Sequence, residues 1–146
     1  MRWLFLAFLS FIPAFVYAQC DFKTAEYIEG MANPKTIKSI DIEIPKSSKY
    51  ARNVFKILIT TSKNIPNKLK KKFKARVIVT YDFGMCRYEG KVRQSGDWKD
   101  HIWLVNGNPI QSLGVNLKSG NVVGATQFKL LIPATRFGRN EVLGAL

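Results

Sequence analysis

The chain has one histidine and two cysteines in 146 residues, and those shortages remove most chemistry that depends on soft ligands. There is no CxxC, so neither a thioredoxin-like redox pair nor a zinc ribbon is written into it. It also lacks a Walker phosphate loop, a zinc-protease histidine pair, a nucleophile elbow and a kinase glycine loop. Without them, the enzyme classes recognised by those motifs have no foothold. No internal repeat or low-complexity segment stands out, which argues against a solenoid. Acids are scarce: 10 Asp plus Glu against 23 Lys plus Arg, for a formal net charge of +13.

Apolar residues, by contrast, are concentrated at the start. Residues 1–18, MRWLFLAFLSFIPAFVYA, carry a single charge at Arg2, an apolar run from Trp3, and a small-residue end at Val16-Tyr17-Ala18. This is the layout of a secretory signal peptide cleaved after Ala18. A spanning helix needs about 20 apolar residues, and Ser10, Pro13 and Gln19 interrupt or end this run. Gln19 stands where a lipoprotein needs a small residue, so Cys20 is not expected to carry lipid. The expectation is an exported protein, periplasmic or extracellular, with no transmembrane anchor after cleavage. Residues 19–146 then form a single basic, β-rich domain.

Loss of the signal leaves 22 basic residues against 10 acids. Such a balance favours anionic partners, whether phosphate, nucleotide or polyanion. Export argues against genomic nucleic acid. A solvated basic surface that keeps a small protein soluble is the alternative. In an oxidising compartment, Cys20 and Cys86 are expected to form a disulfide. It would stabilise the fold by about 4 kcal/mol in the chain-entropy model and tie the mature N-terminus to the loop of a hairpin.

Read in order, residues 21–31 predict a short helix on Phe22, Ala25 and Ile28, ended by Gly30. Ile40, Ile42 and Ile44 alternate with Asp41 and Glu43, a half-buried strand stopped by Pro45. From Ser47 or Ser48 to about Thr60 a helix, with Ala51, Val54, Phe55 and Leu58 on its face, is preferred over a strand, which the β-branched run Ile57, Ile59, Thr60 and Thr61 also suggests. The run KLKKKFK at 68–74 is the densest positive stretch, either a solvated edge or a landing strip for an anion. Ala75, Val77, Val79 and Tyr81 alternate with polar neighbours. A turn at 83–86 leads to a second run, with Tyr88 and Val92 on one side and Arg87, Glu89, Lys91 and Arg93 on the other. The two make a hairpin. Asn106 to Pro109 is a turn. Leu113, Val115 and Leu117 form another strand, and Phe128, Leu130 and Ile132 a last one ended by Pro133. The fold class is therefore α+β: a small antiparallel sheet with one or two short helices, tied by a disulfide.

The chemically suggestive stretch is Gly96, Asp97, Trp98, Lys99, Asp100 and His101. Two acids and the lone histidine within five residues invite acid–base or metal chemistry. Without a second cluster, a structural corner with Trp98 plugging the core is the preferred reading. No residue is assigned a catalytic or metal-binding role. Arg93, Lys99, Lys118 and Lys129 are the candidate anion-binding set, because strands pairing in order would gather them.

The phrases KVRQSGDWKDHI and QSLGVNLKSGNVVGATQFKLLIPATRFGRNEV resemble the front portion of CotH-like (spore-coat-H) proteins, the atypical secreted kinases. They are closer still to a group of uncharacterised marine bacterial proteins sharing Gly-Asp-Trp-Lys-Asp-His-Ile. The similarity carries an Arg–x–x–Gly–polar–Trp turn (Arg93, Gly96, Asp97, Trp98) and spans Lys91 to about Val142. It implies a kinase-like small lobe in which basic residues meet nucleotide phosphates. ATP with Mg²⁺ or Mn²⁺ is the cofactor if a longer chain supplies the helical lobe. Here Asn116 stands where the family has a basic residue, with Lys118 two positions on, and only Glu141 is acidic after Asp100. The expectation is a non-catalytic N-terminal portion of a longer protein, or a truncated copy. The other expectation is a free-standing basic module for envelope or matrix polyanions.

Overall fold

The computed structural model describes residues 18–132. Residues 1–17, which hold most of the expected signal segment, and also Pro133 and Glu141, lie outside the described residues. Strand β1 (Gln19–Cys20) is followed by a single 3₁₀ turn at Thr24–Glu26 and the short helix α1 (Ile28–Ala32). Then come β2 (Ile37–Glu43), helix α2 (Ser47–Leu58), β3 (Phe73–Tyr81) and β4 (Gly84–Gln94). β5 (Ile102–Val105), β6 (Asn108–Gln111), β7 (Leu113–Leu117) and β8 (Gln127–Leu130) follow.

The main sheet runs β2-β3-β4-β7-β8, antiparallel throughout. β4 is long enough to serve two partners on one edge: β1 at its start and β7 at its end. β5 and β6 form a separate two-stranded sheet. Alternation explains why the main sheet has one dry face. Phe73, Ala75, Val77, Val79 and Tyr81 of β3, with Cys86, Tyr88 and Val92 of β4, point inward and are buried. Val115, Leu117 and Val122 complete the cluster. Each fully buried Val, Leu or Phe contributes roughly 1.5–3 kcal/mol.

Helix α2 closes part of that face. Its buried stripe is Asn53, Val54 and Ile57, with Tyr50 half-buried one turn earlier, a 3–4 residue period. The expected face is corrected in part: Ala51 and Phe55 are exposed, and only Val54 of the four named residues is buried. The polar Asn53 occupies the stripe because its Nδ2 donates to the Leu69 carbonyl at 2.8 Å. Tyr50 meets Phe73 edge-on with centroids 5.1 Å apart. Burial pushes the Tyr50 hydroxyl up to about 12.

The disulfide joins Cys20 to Cys86, which face each other across β1 and β4. Cys86 therefore lies inside a strand and not in the hairpin loop, because the β3–β4 turn is only Asp82-Phe83. The expected helix at 21–31 is also corrected. Phe22 precedes the 3₁₀ turn, Ile28 is 64% exposed, and Gly30 lies within α1. Aromatic packing against the sheet decides this region. Phe83 stacks on Tyr27 at 4.7 Å and on Tyr81 at 5.2 Å, while Phe22 meets Phe83 edge-on at 5.1 Å. The last strand stops at Leu130, short of Ile132, whose backbone N–H donates instead to the buried Ser112 hydroxyl.

Candidate functional site

The alternation that buries one face of the main sheet lines the other with charge. Register arranges that face in rows. Lys74 lies opposite Lys91, which lies opposite Asn116, which lies opposite Gln127. In the adjacent row Arg93 faces Gly114, which faces Lys129. Lys72 directly precedes β3 beside this row. On the other side Arg76 faces Glu89, and the Lys118 backbone N–H donates to the Glu89 carbonyl at 2.8 Å. Apart from Arg76, these residues line an open concavity of about 1020 Å³.

Acids and bases are not mixed evenly across this face. Arg76 reaches Glu43 at 3.0 Å and Glu89 at 3.7 Å, so nearby carboxylates are gathered around one guanidinium. Among the described residues, Lys72, Lys74, Lys91, Arg93, Lys118 and Lys129 have no ion-pair partner within 4.0 Å, although the Arg93 charge also acts on the Asp97 carboxyl. Strands lie about 4.8 Å apart and same-face residues recur about every 7 Å along them. The cations thus form a two-dimensional array, and a single phosphate could meet only part of it.

Three of the four candidate cations, Arg93, Lys118 and Lys129, line the concavity. Lys99 does not. Its ammonium donates to the Leu58 carbonyl at 3.1 Å and to the Thr60 carbonyl, filling the C-terminal end of α2 where helix carbonyls attract cations. Lys74 and Lys91 were not in the expected set. Their signal was the charged phase of two alternating strands, but only the pairing register places one against the other.

The basic run 68–74 divides by contact. Lys70 pairs with Asp97, while Lys71 lines a smaller hollow of about 230 Å³ with Lys49, Arg52 and Lys56. Lys72 and Lys74 belong to the sheet face.

The side chains of the polar turn go to separate partners. Lys70 holds the Asp97 carboxyl below the usual carboxylate range through its hydrogen bond and charge. Asp100 Oδ1 lies 4.0 Å from His101 Nε2. Gly96 has φ +85°, and a Cβ there would overlap the His101 ring, so glycine fits this corner for both reasons. Trp98 is 58% exposed and does not plug the core. Its strand-like pairing with Asn64 holds it at the surface. The corner is structural in another way. Gln94 Nε2 donates to the Ser95 carbonyl at 2.8 Å and the His101 carbonyl at 3.4 Å, and the Ser112 N–H donates to the His101 carbonyl.

Among the described residues no group of three His, Cys, Asp or Glu side chains is placed to hold a metal ion. Nor is any described helix long and apolar enough to cross a membrane. Fold and site together define a small disulfide-tied α+β domain with one dry and one cationic sheet face. Comparison with protein-family profiles, curated proteins and solved structures returns no match.

Proposed function

We propose that this protein is an exported binding module whose cationic sheet face holds an envelope or matrix polyanion. The observation that carries the reading is the opposition of Lys74 to Lys91 within a face where Lys72, Arg93, Lys118 and Lys129 also lack ion-pair partners. Like charges directly opposite one another destabilise a strand pair, and a bound polyanion would relieve that repulsion. The roughly 7 Å and 4.8 Å spacings suit an extended anion. The disulfide supports an oxidising compartment, and the leader-like residues 1–18 support export.

Heparin and long-chain polyphosphate are suitable probes. Affinity is expected to fall steeply with salt as counterions are released. Replacing Lys74, Lys91 and Arg93 by Gln should flatten the logarithmic salt slope by about one for each lost contact. An unchanged slope overturns the reading. Export has its own check: the secreted product should begin at Gln19, and intact Met1 in the membrane fraction contradicts it.

A second reading, a nucleotide-binding lobe as the CotH-like similarity implies, is favoured by Arg93, Lys118 and Lys129 sharing one concavity. ATP with Mg²⁺ would then compete with polyphosphate at this face. Failure of ATP to compete at matched total phosphate favours the polyanion.

A further inference from the structure

The hairpin of β5 and β6 has a different chemistry from the rest of the surface. From Ile102 to Leu117 the chain has no Asp, Glu, Lys or Arg, although 23% of the whole sequence is charged. Ile102 is buried at the base, but Trp103, Leu104, Val105 and Ile110 are 45%, 61%, 48% and 40% exposed. Trp103 faces Ile110 across the strands, so these two share one face with Val105, while Leu104 and Pro109 share the other. Beyond the buried base at Ile102, both broad faces of the hairpin thus expose apolar side chains. Its turn is Asn106-Gly107, with φ +51° and +77°, which suits the tight connection between two short strands.

We propose that this hairpin inserts into the headgroup layer of an anionic membrane. A protein groove would cover one face and leave the other in water, whereas lipid can surround both. Addition of a strand from a second copy is opposed by Pro109, which removes a backbone donor from β6. The four-residue strands extend about 13 Å, enough for the roughly 5–10 Å depth at which interfacial elements sit. Trp is a favoured side chain at this boundary.

Charge complements the apolar surface. The hairpin leaves the main sheet beside the pair Gln94 and Leu113, and the next row inward is Arg93, Gly114 and Lys129. Cations therefore border the apolar element at the end from which it projects, where they can meet anionic headgroups. The inference stands on the hairpin and does not require the polyanion reading.

The test uses purified protein with vesicles of phosphatidylcholine alone or mixed with phosphatidylglycerol. The mixed vesicles should bind it, and lipids brominated along the acyl chains should quench tryptophan fluorescence. Leu104→Asp with Val105→Asp should weaken binding roughly 10-fold or more and remove quenching. The milder pair Leu104→Ser and Val105→Ser provides the same comparison if the acidic pair does not fold. Arg93→Gln with Lys129→Gln should weaken binding to the mixed vesicles while bound protein remains quenched. Absence of vesicle binding, binding without acyl-chain quenching, or full affinity in folded hairpin variants overturns the proposal. So does concentration-dependent dimerisation through the hairpin that blocks vesicle binding. Loss of heparin binding in the Lys74, Lys91 and Arg93 variant leaves the hairpin result readable, since residues 104 and 105 are untouched.

Discussion

Residues in the main sheet and in the β5–β6 hairpin adopt the same backbone conformation under opposite rules of composition. In the two central strands, buried apolar residues alternate with outward neighbours that include Lys74, Arg76, Arg87, Glu89, Lys91 and Arg93. In the hairpin, neither face carries charge and little of either is covered. An alternating strand belongs at a boundary between core and water, and its charges are available to anions. The apolar hairpin is instead the surface the membrane proposal uses. The difference teaches where to look for function: in the cations that lack partners, and in the apolar side chains that lack cover.

The largest expected effect sharpens that contrast by weakening the sheet itself. Replacing Cys20 and Cys86 by Ser opens a closure of 66 residues and should cost about 4 kcal/mol of stability, measured by urea denaturation. A loss near zero would mean that β1 is held to β4 by its ladder and the aromatic packing alone.

Next in size, truncation should distinguish packed from unpacked side chains. Ile57 of α2 is fully buried, and Ile57→Ala should cost about 2–5 kcal/mol. Leu104→Ala should change stability by only about 0.5 kcal/mol in either direction. Comparable losses at both positions would break the comparison, because the hairpin would then be part of the core.

Binding should divide the two basic hollows. Gln at Lys74, Lys91 and Arg93 should weaken heparin binding and its salt dependence more than Gln at Lys49, Arg52 and Lys56, which line the smaller hollow. Equal losses, read by affinity chromatography over a salt series, would spread the site over the whole basic surface.

The smallest expected effect is at Asp97. Its folded-state carboxyl is held below the ordinary range by Lys70. Its contribution is therefore present above the unfolded value near pH ~4 and disappears as pH falls through the lower folded value. Asp97→Asn should remove that part of the acid-side loss in melting temperature. Because the carboxylate is exposed, the difference should be small. Identical acid-side profiles would show that the Lys70 contact contributes nothing in solution.

Much of the sheet was legible in advance. The inward positions of β3 and β4 follow from a period of two, which a single buried face imposes on any strand. A paired Cys20 and Cys86 followed from having two cysteines in an expected oxidising setting. The location of Cys86 inside β4 was less accessible, because shortening a turn to two residues moves the strand boundary without altering the pattern. The helical stripe of α2 was displaced because Asn53 is buried by a carbonyl contact that hydropathy does not register. The hairpin was visible only as its turn, since a run apolar on both sides lacks the alternation that marks a half-buried strand.

Sequence by itself determined the excess of positive charge, the two faces of the main strands and the absence of the common catalytic motifs. These follow from residue identity and local period, which need no partner. Tertiary structure alone decided which cations share a surface. It set Lys74 against Lys91, brought Arg93 beside Lys129 through Gly114, and diverted Lys99 to the end of α2. The physical reason is that strand register and helix-end geometry join residues far apart in the chain, and a charge acts according to what lies across the ladder from it.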